Sequence, residues 1–212
     1  MKSDFLEKEF LSNSIKIIDG VLYSSSPHVV VDIMSTDEDL IMKESAKILC
    51  QNKGIVLNVG FGLGIIDNYI RDFKPKEHHI IEIHPQIYDL AIKDKFHQTS
   101  FLHLGNWEDI VNQFMLKNKK FDAIYFDTYT FNRDKKQWAM FGDIVDKILN
   151  EGGIFSYFND NASKIEKIED ILKPLNWEKN IKYIPFSKIK KQTNKKNILV
   201  SKRPYELIWF KK

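Results

Sequence analysis

Three apolar runs in this chain end on or beside an acid. His79–Ile81 runs into Glu82, Phe121–Phe126 into Asp127, and Ile154–Phe158 into Asn159, Asp160 and Asn161. A fourth run, Ile55–Val59, passes into three glycines spaced two apart, Gly60, Gly62 and Gly64. Carboxylates gathered on one rim suit a cationic ligand, because their fields add there. A glycine turn between strand and helix aims free backbone N–H groups at a bound group and leaves no Cβ in between. Taken singly, each acid is also an ordinary helix cap. The same holds for the cluster Ser35-Thr36-Asp37-Glu38-Asp39, whose plain role is to complement a helix macrodipole.

Such residues meet only if the chain forms a sheet whose strand ends share an edge. Ile55–Val59 is almost uninterruptedly apolar, as a strand buried on both faces of a parallel sheet should be. Ile65–Ile70 follows with helical spacing. His79–Ile83, Phe101–Leu104, Phe121–Phe126 and Ile154–Phe158 repeat the strand pattern. Helical stretches separate them: one opened by Pro85, one through Ile110, Val111, Phe114 and Met115, and one from Trp138 to Leu149. The last is expected to stop at Asn150-Glu151-Gly152-Gly153, where glycines can end a helix. Alternation with short connections predicts an α/β, Rossmann-like fold. A mostly parallel seven-stranded sheet should carry helices on both faces. Past Ile171, the runs Trp177–Ile184, Ile198–Ser201 and Glu206–Phe210 predict an antiparallel C-terminal edge. Before the first core strand, Asp4–Ile18 has helical spacing, Gly20–Val31 reads as a hairpin, and Leu40–Cys50 as a helix. Residues 1–53 are thus expected to form a helix, a hairpin and a substrate-side helix in the same domain as a 54–212 core.

Composition narrows the class. The chain has 212 residues, 43% hydrophobic and 29% charged, an ordinary globular mixture. A net charge of +3 gives no argument for nucleic acid. Positive charge concentrates in Lys188–Lys196, without interleaved aromatics, which reads as a solvated loop. The lone Cys50 sits on an apolar helix face, and a buried thiol is expected. No apolar run approaches the ~20 residues that span a bilayer. Met1–Glu7 lacks a signal-peptide core, so a cytoplasmic location is the expectation, with no membrane partner.

The glycine spacing is not the dinucleotide pattern G-x-G-x-x-G, since position 65 is isoleucine. G-x-G-x-G after a strand resembles the first motif of AdoMet-dependent methyltransferases. Asn58-Val59-Gly60-Phe61-Gly62, Ile80-Ile81-Glu82, Asn106-Trp107-Glu108-Asp109 and, above all, Tyr125-Phe126-Asp127-Thr128-Tyr129 resemble a narrower family. It is that of guanidinoacetate N-methyltransferase and the arginine Nδ-methyltransferases of fungi and plants, class I enzymes. The likeness covers roughly residues 20–160 in the same order.

The resemblance implies a cofactor, AdoMet, over Asn58, Gly60, Phe61, Gly62 and Gly64. Its ribose would lie on Glu82 beside Ile83, and its adenine beside Asn106, Trp107 and Glu108, with Asp127 at the cofactor's edge. It implies that Asp127 and Glu38 are the catalytic pair gripping a guanidinium. Tyr129, Asp160 and Asn161 would complete the substrate side. No metal is implied, because the AdoMet methyl is intrinsically reactive.

The chemistry of the pair is clear. A guanidinium is planar, offers five N–H donors and is protonated in water, so its nitrogens have no lone pair to give. Two carboxylates can fix one nitrogen and accept its proton as the new bond forms. The expected activity is therefore N-methylation of a small guanidino compound, guanidinoacetate or arginine-like. The acid at Asp160 favours amine-bearing guanidines over guanidinoacetate. The alternatives are a protein arginine, a nucleic acid (disfavoured because a base-clamping motif is missing), and an inactive binding module. Tyr125, Tyr129 and Trp107 suit water exclusion or core packing alike.

Overall fold

A computed structural model describes residues 8–26, 30–128, 135–159, 168–185 and 204–212. Tyr129, Asp160, Asn161, the basic run 188–196 and the strand expected at 198–201 lie outside the described residues.

Helical residues 8–12 lead into a three-stranded antiparallel meander, β1 (Ser14–Ile18), β2 (Val21–Ser25) and β3 (Val30–Ser35). The hairpin was legible, but the helix expected through Ile18 stops short. Ile15 and Ile18 fit a helical period, yet the backbone there pairs with Ser24 and Val21 of β2. Apolar spacing alone cannot distinguish the two periods when a partner strand is two residues away. Next come α1 (Asp39–Leu49), β4 (Ile55–Val59), α2 (Ile65–Phe73), β5 (Glu77–Glu82), α3 (Pro85–Lys93), β6 (Phe101–Leu104), α4 (Trp107–Leu116) and β7 (Phe121–Phe126). The chain then runs through α5 (Lys135–Ile148), β8 (Leu149–Tyr157), α6 (Ile168–Leu172), β9 (Glu178–Ile184) and β10 (Tyr205–Lys211).

Seven of these strands form one sheet in the order β6-β5-β4-β7-β8-β10-β9. β4 to β8 are mutually parallel, while β10 runs antiparallel to both β8 and β9. This is the predicted architecture. Alternating side chains along each strand divide the core in two. Val56, Ile80, Ala123, Tyr125, Ile154 and Leu207 pack with Ile41 and Met42 of α1, Ile66 and Ile70 of α2, and Ile87 of α3. Leu57, Ile81, Ile124, Phe126, Phe155 and Ile208 pack with Trp107 and Phe114 of α4 and Phe141 and Val145 of α5. Helices therefore cover both faces.

The expected glycine terminator of α5 is a different structure. The helix ends at Ile148, and Leu149–Gly153 already belong to β8. Gly152, at φ +73°, donates its N–H to the Lys212 carbonyl, while Lys212 N–H donates to Gly153. The left-handed glycine bends the strand onto the C-terminal residue instead of ending a helix. Cys50 is buried, and burial pushes its thiol up to about 12, as an inert core thiol requires.

Candidate active site

The parallel strands bring their carboxyl ends to one edge. The ladder continues past the strands there: Gly60 N–H donates to Ile81 O, Asp127 N–H to Val59 O, Gly105 N–H to Glu82 O, and Phe158 N–H to Phe126 O. The turns after β4, β5, β6, β7 and β8 are thereby fixed side by side, where ligands of open α/β sheets bind.

The glycine turn is tighter than its sequence suggests. Gly60, Gly62 and Gly64 all have positive φ, at +98°, +56° and +66°. A Cβ on Gly60 would lie 1.9 Å from the Asp127 carbonyl oxygen, one on Gly62 2.8 Å from Met34 Sδ, and one on Gly64 2.4 Å from the Phe61 ring. The protein itself demands these glycines, before any ligand does. Leu63 N–H points at Met34 Sδ, 3.2 Å away, so the end of β3 closes one side of the turn.

A buried polar chain supports the turn from below. Asn58 Nδ2 donates to the Gly60 carbonyl at 2.8 Å and to both Asp67 oxygens at 3.0 and 2.9 Å. His78 Nε2 lies 3.0 Å from Asp67 Oδ1, and Ser100 Oγ lies 3.1 Å from His78 Nδ1. Asn58, Asp67 and His78 are buried. Asp67 and His78 carried no sequence signal, since an acid in a first turn and one of two adjacent histidines look ordinary until the fold joins them.

Glu82 is also buried. Its Oε2 accepts Phe61 N–H at 3.0 Å and its Oε1 accepts His84 N–H at 2.8 Å. Burial raises its pKa, while N–H groups of His84, Phe61, Gly62 and Ile83 pull against that. Asn106 caps α4 by accepting Glu108 N–H at 2.9 Å. Trp107 is buried edge-on against Phe126 and Phe141, and Tyr125 is fully buried with its hydroxyl 3.6 Å from Met42 Sδ. Both rings thus pack in the core.

Asp127 follows Tyr125 by two residues and shares its side of β7. It keeps partial solvent contact at the bottom of the edge, yet protein surrounds its carboxyl. Burial, with the charges of Asp67 and Glu82, raises its pKa to about 7. Glu38 is buried before α1. Its Oε1 accepts Ser35 N–H at 2.9 Å, half of a capping box whose other half is Glu38 N–H on the Ser35 side chain, which also accepts Asp37 N–H. The cap and the candidate site are therefore the same side chain. Met42, one turn later, reaches Tyr125. The charges of Asp127 and Glu38 both act on Tyr125 and on Tyr205 and, after burial, help to raise these phenols. The fields of the two acids thus reach the same pair of buried phenols.

Tyr205 is the member sequence reasoning missed. It opens β10 and is buried, and its hydroxyl accepts Asn159 N–H at 2.9 Å. Only an antiparallel strand next to β8 begins, rather than ends, at this edge.

These residues fit AdoMet. Gly64, the N-cap of α2, supplies no side-chain cap, so the first-turn N–H groups of that helix remain for another group. Glu82 is fixed at the carboxyl end of β5 by backbone N–H groups, beside the glycine turn. Asn58 Oδ1 is a buried acceptor without a hydrogen-bond partner among the described residues.

A profile of the family described as Guanidinoacetate N-methyltransferase matches residues 28–207. The chain belongs to that family. It is 34% identical over 168 residues to Protein arginine N-methyltransferase 2 of Gibberella zeae, covering 72% of this chain and 37% of the relative. It is 37% identical over 131 residues to the protein of the same name from Emericella nidulans, covering 60% of this chain and 30% of that one. The chain thus spans about a third of the length of the curated relatives it matches. Among solved structures, it resembles the O-methyltransferase from Bacillus cereus in complex with SAH, with TM-score 0.52, 14% identity and coverage of 84% and 81% of the two chains. It also resembles precorrin-6y C5,15-methyltransferase from Geobacter metallireducens, with TM-score 0.59, 13% identity and coverage of 90% and 95%. At such identities the likeness is one of fold. Among the described residues no helix is long and apolar enough to cross a membrane, and no cluster of metal-ligating side chains occurs.

Proposed function

We propose that this protein is an AdoMet-dependent N-methyltransferase whose acceptor is a guanidino nitrogen. The placement of two carboxylate residues beside the glycine turn carries the proposal: Glu38 is held on Ser35, next to the Met34 that meets Leu63 N–H, and Asp127 packs its backbone against Gly60 and donates its N–H to Val59. AdoMet, when bound, would supply an electrophilic methyl group. Glu82 would hold its ribose diol, the Gly60–Gly64 turn its amino-acid end, and Asn106-Trp107-Glu108 its adenine.

The chain's own residues then do three things. Glu38 and Asp127 attract and orient the planar cation, and positioning alone accounts for much of such catalysis. The neighbouring core rings, Tyr125 and Trp107, keep bulk water from beneath the site. Asp127, raised to about 7, is a stronger base than an ordinary carboxylate and takes the proton the nitrogen loses.

A small guanidino compound of arginine-like shape is the first acceptor class, with Asp160 favouring those that carry an amine. The printed names of the curated relatives favour a second reading, an arginine within a protein. Incubation with methyl-labelled AdoMet and arginine, agmatine, guanidinoacetate or arginine peptides tests both. Label in a guanidine supports the proposal, and its size class chooses between the readings. AdoMet binding without label transfer to any of the four would overturn it.

A further inference from the structure

Glu82, on the function proposed above, holds the cofactor's ribose, and this inference rests on that reading. One of its oxygens is fixed by His84, whose backbone N–H reaches Glu82 Oε1 at 2.8 Å. His84 is fully buried, although it stands in the turn between β5 and α3. The N-terminal segment lies against it. The Phe10 ring meets the imidazole edge-on, with centroids 5.1 Å apart, and the Asn13 carbonyl lies 3.2 Å from Nε2. Two residues on, Ile15 N–H donates to Gln86 Oε1 at 2.8 Å. The Asn13 side chain donates to Ser24 Oγ at 2.9 Å, which ties the segment to β2. Residues 10–15 thus join the three-stranded meander to the turn that follows Glu82.

The imidazole has one way to serve both of its neighbours. Its Nδ1 accepts Gln86 N–H at 3.2 Å, as the N-cap of α3. The proton of the neutral ring is therefore on Nε2, where it is donated to the Asn13 carbonyl. Burial lowers the pKa of the ring and so favours this neutral form. A single residue thus joins Glu82 through its main chain, α3 through one ring nitrogen and the N-terminal segment through the other. We propose that His84 is a positioning residue of the cofactor site, through which the docked N-terminal segment holds Glu82 in place. Undocking of the segment uncovers the ring and loosens the turn whose N–H meets Glu82 Oε1. A cofactor that needs Glu82 fixed then binds the docked form better, and by linkage it tightens docking by the same factor.

Hydrogen exchange at the Ile15 amide reports docking, because that amide donates to Gln86. In the parent protein, saturating AdoMet should slow Ile15 exchange about tenfold, the worth of a hydrogen bond to a charged group. Asparagine is itself a good N-cap, so His84→Asn keeps an acceptor for Gln86 N–H and removes the ring on which the segment docks. Its melting curve and circular dichroism verify the fold. AdoMet affinity, by calorimetry, should fall about tenfold in this variant, and Ile15 exchange should no longer respond to AdoMet. Gln86→Ala, at an exposed position, undoes only the tie to Ile15, and AdoMet affinity should fall about two- to threefold. A merely structural histidine would lower the melting temperature of His84→Asn and leave its AdoMet affinity at the parental value, which would overturn the proposal. Should His84→Asn fail to fold, the Ile15 response of the parent and the affinity of Gln86→Ala decide, and parental values in both overturn it. AdoMet that fails to bind the parent would bring down the cofactor reading itself, whereas binding that leaves Ile15 exchange unchanged would remove only the role of His84.

Discussion

Glu82 and Asp127 stand at the ends of β5 and β7, the two strands that flank β4, yet they are built differently. Glu82 is enclosed and supplied: backbone N–H groups of Phe61 and His84 reach both of its oxygens, and those of Gly62 and Ile83 add to them. Asp127 is enclosed with like charges beside it, and only burial and the repulsion of Asp67 and Glu82 set its titration. A carboxylate held by fixed dipoles is a good anchor. One left without such dipoles gains most from an incoming cation or proton. On the function proposed, the two positions on one edge divide the labour: Glu82 would fix and Asp127 would exchange.

The largest expected effect breaks the exchanging partner. Asp127→Asn keeps the shape of the side chain but cannot accept a proton or attract a cation. Turnover on the true acceptor should fall about 10²–10⁴-fold, the range for a lost general base. AdoMet affinity, by calorimetry, should hardly change. Parental turnover in this variant would transfer the chemistry elsewhere.

Glu38→Gln sharpens the comparison next. Gln can still accept Ser35 N–H, so a side chain that only caps would lose about 1 kcal/mol of stability or less, with turnover intact. If Glu38 grips the acceptor with Asp127, turnover should fall at least tenfold, an effect of a hydrogen bond to a charged group. The double variant should then lose less than the product of the singles, because the two carboxylates act as one unit. Multiplicative losses would separate them.

Glu82→Gln breaks the fixing partner. One oxygen remains for a backbone N–H, while the amide turns two donors toward groups that are themselves donors. AdoMet affinity should fall by about 1.5–3 kcal/mol. Saturating AdoMet should restore most of the turnover, which distinguishes this variant from Asp127→Asn. Undiminished AdoMet affinity would remove Glu82 from the cofactor's site.

Both acids were legible in the sequence because a parallel sheet puts every strand's end on one edge, and a run such as Tyr125-Phe126 followed by Asp127 marks that end. The seven-stranded order and its antiparallel edge were legible for the same reason: apolar runs alternate with helices until Ile171 and then do not. What escaped depends on who lies next to whom. Ile15 and Ile18 keep a helical period but pair with β2. Gly152 resembles a helix stop but turns β8 onto Lys212. Tyr205 reaches the site only because β10 lies between β8 and β9 and runs backwards. Asp67 and His78 join through a sheet face that no local pattern announces.

The smallest expected effect is a slope. Asp127 titrates near 7 in the folded protein and near the usual 3.9 when unfolded. Below about pH 4 both states hold the proton, and its contribution to stability is complete. Between about 4 and 7 the unfolded state has released that proton while the folded state keeps it, so stability declines as pH rises, and above about 7 the loss is finished. Urea midpoints across this window should therefore fall less steeply in Asp127→Asn than in the parent. Glu82, also raised by burial, leaves a residual decline of the same sign in both. Activity should run the other way, since kcat/KM needs the anion and should climb through about pH 7. The kcat profile should lie at lower pH, because a bound guanidinium favours the charged carboxylate. Parallel stability curves for parent and variant would mean that the titration of Asp127 does not shift on folding, and the division between the two strand ends would be lost.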